Sequence, residues 1–129
     1  LPAVALREIV AKSQLGIFRK NWLADYPDAE NYLALFYSKN FSPAGPNYTH
    51  FSNKEYDRLY ERAFLETDDE KRFELYRKMD QIIIYEAPIV PLYYDKIIRI
   101  VQNNVSGLTT NPMNLLTLKK VRKKPDIPK

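Results

Sequence analysis

Two short polar runs, Ser52-Asn53-Lys54-Glu55 and Thr67-Asp68-Asp69-Glu70, constrain this chain more than any other feature. Each has the form of a capping box, in which a hydroxyl residue and a Glu three positions on satisfy the orphan N–H groups that open a helix. After the first run, Tyr56, Leu59, Tyr60, Ala63 and Phe64 recur at helical spacing; after the second, Phe73, Tyr76, Met79, Ile82 and Ile83 do so. Two capped amphipathic helices with a link of two or three residues fold back on each other, which predicts an αα-hairpin over 52–86. Asp68 and Asp69 then belong to a helix start, where acids favour the macrodipole. Pro88 and Pro91 close the helical region.

Shorter elements surround the hairpin. Val4, Leu6, Ile9 and Val10 predict a short helix over 4–13, broken at Gly16. Residues 17–23 read as a strand with Phe18, Lys20 and Trp22 on one face. Pro27 pushes Tyr26 out of the helical region, so this strand ends in an extended turn, and Asp28 is placed to cap a helix through Asn31, Tyr32, Leu35 and Phe36. Residues 38–51 carry Pro43, Gly45 and Pro46 and read as a loop. Beyond the hairpin, 89–94 is extended, 97–101 is a β-branched strand, 103–107 a turn and 115–118 a last short strand. The expected class is α/β or α+β, a short mixed sheet with helices packed on it. At 129 residues there is room for one core.

The same residues restrict chemistry. With no cysteine, there is neither disulfide nor thiolate nor Cys-type metal site, and the single histidine, His50, sits in a loop without a catalytic motif. Glycines at 16, 45 and 107 are too scattered to cradle phosphate. The net charge of +4 is concentrated in Lys119, Lys120, Arg122, Lys123 and Lys124. This segment reads as a solvated tail over 119–129 rather than a nucleic-acid contact, which leaves 1–118 as the folded part. The abrupt start at Leu1, with no initiating Met or signal segment, suggests a piece of something longer. No apolar run approaches the roughly 18–20 residues that span a bilayer.

One acid stands apart. Asp28 has work as a helix cap, whereas Asp25 lies at an abrupt turn between Trp22 and Tyr26. A carboxylate beside aromatic faces attracts an ammonium group through charge and cation–π terms together. The same carboxylate would equally serve its own fold by binding a backbone amide or an arginine, and residue chemistry alone leaves both roles open.

Five segments in register then resemble one family. Trp22-x-x-Asp25-Tyr26-Pro27-Asp28-x-x-Asn31-Tyr32-Leu33 is similar to the W-x-x-D-Y-x-D-P-x-N-F-L signature of the extracellular solute-binding proteins of the peptide/nickel family, the receptors of ABC importers. Asn47-x-x-x-Phe51-x-Asn53-x-x-Tyr56-Asp57-x-Leu59, then Lys71-Arg72-x-x-Leu75-Tyr76 after the paired acids, resemble its next two segments. Ala87-Pro88-Ile89-Val90-Pro91-Leu92-Tyr93-Tyr94 and Val105-x-Gly107 resemble the last two, with Ala29 standing where the family usually has proline. The resemblance spans about 15–108 and implies a C-terminal section of one lobe of a type II periplasmic-binding-protein-like fold. It implies a non-enzymatic, cofactor-free peptide receptor, periplasmic or otherwise extracytoplasmic, free or lipid-anchored, that delivers to a membrane permease. By the same resemblance Asp25 receives the α-amino group of the ligand, Trp22 walls the pocket, and Tyr26 and Asn47 sit at its rim. It names no ligand, since relatives take oligopeptides, dipeptides, metal chelates, haem or sugars. Two other readings compete: a hairpin that grips a partner protein, and nucleic-acid binding by the basic tail. A section lacking its other lobe is also expected to expose sheet edges and self-associate.

Overall fold

A computed structural model describes residues 2–94, 96–111 and 113–125. The chain divides into two compact units, one up to Pro91 and one from Leu92 onward.

The hairpin dominates the first unit. Helix α3 (Lys54–Leu65) and helix α4 (Asp69–Glu86) are joined through Glu66, Thr67 and Asp68. Both caps lie one residue later than the expected Ser52 and Thr67. Asn53 accepts from the N–H groups of Glu55 and Tyr56, and Asp68 from those of Glu70 and Lys71. At the second cap the Asp68 carboxylate outranks the neighbouring Thr67 hydroxyl for this job, whereas Asn53 and Ser52 rank alike as caps. Helix α4 ends at Ala87, a left-handed residue with φ 49° and ψ 46° whose N–H returns to the Ile83 carbonyl at 2.9 Å.

Most of the hairpin's expected apolar stripe faces inward, but Phe64 and Phe73 lie exposed, at 77% and 42%. Tyr56, Leu59, Tyr60 and Ala63 of α3 meet Leu75, Tyr76, Met79 and Ile83 of α4, and Leu33 and Phe36 complete the buried cluster. Its cover is therefore a helical turn and not the strands expected beneath it. That cover is α2 (Glu30–Leu33) running into a 3₁₀ turn at Ala34–Phe36. Phe36, Phe51 and Tyr56 pack edge to face with centroids 5.7–6.4 Å apart, the arrangement their ring quadrupoles favour. Tyr56 is buried to its hydroxyl, which donates to the Leu33 carbonyl at 2.7 Å, so the ring carries its own polar partner into the core.

Helix α1 (Ala3–Ala11) stops before Gly16, at a left-handed Ser13 with φ 52°. Its last carbonyl, on Ala11, accepts from the Ser42 hydroxyl at 2.5 Å. The 38–51 loop is tightly folded. A Cβ on Gly45 would lie 2.5 Å from the Asn40 carbonyl oxygen, so only glycine allows this closure. His50 is a structural part of the loop, stacked on Phe41 at 4.8 Å with its Nε2 2.8 Å from the Ser42 carbonyl.

The expected sheet is not formed. Residues 17–23, 97–101 and 115–118 are irregular, and 89–94 pairs with nothing among the described residues. Among the described residues the one ladder is antiparallel, between β1 (Val105–Ser106) and β2 (Arg122–Lys123), with Val105 opposite Lys123 and Ser106 opposite Arg122. One strand thus comes from the expected turn and the other from the expected flexible tail. The ladder is closed by Lys124 N–H to the Asn104 carbonyl at 2.8 Å. Gly107, with φ 79°, lets the backbone pass where a Cβ would sit 2.0 Å from the Lys120 carbonyl oxygen. Ile97, Ile98, Ile100 and Val101 are all exposed, Ile98 at 85% and Ile100 at 93%. A run apolar on both faces is the pattern of an inner strand, which needs neighbours on both sides to form.

Candidate functional site

The turn at 22–28 has no regular backbone to hold it, so side chains do that work. Asn31, in the first turn of α2 and only 4% exposed, points its carboxamide oxygen back at the preceding segment. That oxygen accepts from the Trp22 indole N–H at 2.7 Å and, at the longer distance of 3.4 Å, from the Asp25 backbone N–H. Trp22 is thereby half-buried, with its ring orientation set by its own donor. The N-cap of α2 is Ala29 and not the expected Asp28, and the α-helix ends at Leu33. Asp28, one residue before the cap, still serves the helix start, its Oδ1 accepting from the Glu30 N–H at 2.8 Å.

The Asp25 side chain is exposed. Among the described residues, no hydrogen bond or ion pair engages its carboxylate. It is neither sealed in the core nor held by a guanidinium. By contrast, Arg72 reaches Asp69 at 2.8 Å and Asp28 at 3.9 Å, one turn away in the sequence from the free acid.

Tyr26 follows Asp25 with its ring 43% exposed and its hydroxyl donating to Glu30. Glu30 also accepts from the Tyr60 hydroxyl on α3, so one carboxylate ties the turn to the hairpin. These contacts leave a mark on the phenols. Glu30 holds the Tyr26 hydroxyl above its ordinary range, with burial adding to the rise and a hydrogen bond from Asn31 opposing it. Burial first, and then the Glu30 carboxylate, raise Tyr60. Burial and a bond to Asp28 push Tyr76 up to about 12. Tyr26, Asp28, Glu30, Phe64, Arg72 and Tyr76 line an open groove of about 260 Å³ beside the turn.

Asn47 does not lie at a rim. It is 0% exposed, and its amide donates to the Tyr37 carbonyl at 3.1 Å and the Phe51 carbonyl at 2.9 Å. Its Oδ1 accepts from the Thr49 hydroxyl at 3.0 Å and the Phe51 N–H at 3.2 Å. All of its polar capacity is used within the loop, so nothing remains for a ligand. The structure thus brings Trp22, Asp25 and Tyr26 to one turn and assigns Asn47 to the interior.

Sequence reasoning missed Asn31, Glu30 and Arg72 as members of this neighbourhood. The sequence places Asn31 on the helix and in the family signature with Trp22 and Asp25, but gives it no bond to either. A nine-residue separation from Trp22 follows no helical or strand period, so no local pattern announces the bond.

No family model matches the chain. Among curated proteins it is 33% identical over 101 residues to the dipeptide-binding protein DppE of Bacillus subtilis, covering 78% of this chain and 18% of that protein. It is 37% identical over 95 residues to the oligopeptide-binding protein OppA of Bacillus subtilis, covering 74% of this chain and 16% of that one. Identity to YgiS of Escherichia coli, a periplasmic protein named for deoxycholate binding, is 33% over 104 residues, covering 80% and 19%. The chain spans less than a fifth of the length of these relatives.

Proposed function

Because this chain belongs to the solute-binding proteins of peptide ABC importers, of which it represents a section, we propose that it supplies the amino-end subsite of an extracytoplasmic peptide receptor. In this reading Asp25 receives the ligand's α-amino group, Trp22 forms a wall, and Tyr26 lines the edge. The observation that carries it is the exposed, unengaged Asp25 carboxylate beside an indole already fixed by Asn31. An exposed acid that no described residue engages, at a braced turn, is available to a cation, and a charge-assisted bond there would contribute about 1.5–3 kcal/mol. The section would form part of one lobe of a type II binding-protein fold. The receptor would close around its ligand by a hinge, and a membrane permease would recognise the closed form. The role is binding without catalysis, and part of a site should hold peptide only weakly.

The test uses the whole receptor that contains this section. Calorimetric titration with a peptide bearing a free amino end is expected to show Asp25→Asn weakening binding about tenfold to about a hundredfold. The same peptide acetylated at its amino end should bind wild type and mutant alike. Equal loss for both peptides would show that Asp25 contributes structure and not charge recognition.

The exposed residues Ile97, Ile98 and Ile100 support a second expectation, self-association of this section on its own. Light scattering across a concentration series is expected to show mass rising with concentration, and Ile98→Lys with Ile100→Lys should suppress the rise. A concentration-independent monomer would refute it.

A further inference from the structure

Two of the residues assigned to the subsite share one neighbour. The Asn31 carboxamide oxygen accepts from the Trp22 indole at 2.7 Å and, at the longer distance of 3.4 Å, from the Asp25 backbone. It is buried, and it stands in the first turn of α2, an element that continues directly into the core residues Leu33 and Phe36. The turn itself has no ladder and no helix over 22–25 to impose a shape. An extended segment without backbone pairing samples many conformers unless side chains restrict it, and ordering it on binding would cost affinity. A single side chain that fixes both an aromatic wall and the backbone of the acid removes much of that cost in advance.

We infer that Asn31 is the positioning residue of this subsite, holding the Trp22 ring and the Asp25 backbone in one fixed relation so that wall and carboxylate meet a ligand together. Its use in recognition rests on the reading of Asp25 given above, but the positioning itself does not. Asn31 touches no ligand in this scheme. The other tether, from Tyr26 to Glu30, holds the far end of the turn and leaves the indole untouched. Asn31 is thus the shared constraint on the two groups that matter. Asp is the conservative replacement, because it keeps an acceptor oxygen in place. Ala removes the acceptor and leaves the indole N–H and the Asp25 N–H without it.

The chain contains one tryptophan, so a nitrogen-15 proton correlation spectrum holds a single indole N–H signal, that of Trp22. In the wild-type chain this proton should exchange slowly with solvent. Asn31→Ala should accelerate its exchange about tenfold, the effect of losing one ordinary hydrogen bond, and shift the signal toward that of free indole. Far-UV circular dichroism should show the α3–α4 helix content unchanged, because the hairpin core does not use this bond. Asn31→Asp should keep the proton protected at neutral pH. Unchanged exchange in a folded Asn31→Ala would overturn the proposal. If that variant fails to fold, a folded Asn31→Asp with an unprotected indole proton would overturn it equally.

The link to recognition is read separately in the whole receptor. Asn31→Ala is expected to weaken binding of a free-amino peptide about tenfold, and Asn31→Asp to restore it. If Asn31→Ala releases the indole proton but affinity for the peptide stays unchanged, positioning stands and the amino-end assignment of Asp25 fails.

Discussion

Met79→Ala is expected to lower the stability of the helical unit by about 3 kcal/mol, within the roughly 2–5 kcal/mol seen when a large core side chain is cut to methyl. Met79 is 0% exposed and lies among Tyr56, Tyr60, Leu75 and Tyr76, where rigid rings cannot collapse into the space left behind. A retained cavity keeps the penalty above the lower end of the range. A domain of this size has only about 5–15 kcal/mol in hand, so the loss takes a large share of it. At roughly 4–8 °C per kcal/mol, the melting temperature should fall by on the order of 15 °C. Met79→Leu, which nearly conserves volume, should cost less than about 1.5 kcal/mol. Thermal and urea unfolding followed at 222 nm check both values, and a Met79→Ala chain as stable as its parent would mean that the two helices do not close over this side chain.

Asn47→Ala is expected to cost about as much for a different reason. Its side chain bonds two carbonyls, one N–H and one hydroxyl; the Tyr37 carbonyl also accepts from the Asn40 N–H and the Phe51 N–H also donates to the Thr49 hydroxyl, so the Phe51 carbonyl loses most when the amide is removed. Each buried group left without a partner costs about 1–3 kcal/mol, and with the lost packing of a fully buried side chain the total is about 2–4 kcal/mol. Asn47→Asp is the sharper probe. Ionised, it has no donor for the Tyr37 and Phe51 carbonyls and sets a negative oxygen against them; protonated, it regains one donor. The carboxyl pKa is then raised in the folded state. Stability contributed by the proton is full below the unfolded value of about 4 and fades as pH rises through the higher folded value. Urea midpoints for Asn47→Asp should therefore increase from pH 7 to pH 4 relative to wild type. A flat difference would show that the amide is not a donor to those carbonyls.

The hairpin was legible because its signals are local. Capping residues, helical spacing and a three-residue link act over distances shorter than the elements they define. Even the one-residue displacement of the second cap, from Thr67 to Asp68, follows from ranking neighbouring acceptors. Strands were less accessible. The 97–101 run has β-branched chemistry, yet a strand exists only when another lies beside it, and no described segment takes that place. The site divides the same way. The exposure of Asp25 was legible because Asp28, three positions on, is the acid that bonds the start of α2. Asn47 was not, since an Asn among Pro, Gly and Tyr looks the same whether the loop closes around it or presents it to solvent. Deciding that requires knowing that Tyr37 and Phe51 approach from both sides.

The buried apolar cluster begins at Leu33 and ends at Ile83, whereas Trp22, Asp25 and Tyr26 precede it in the chain. Asp25, exposed and outside that cluster, is the position of the three where mutational drift is least coupled to melting behaviour. On the role proposed for it, a lineage carrying this scaffold is free to explore new specificities there without first acquiring compensating stabilisers.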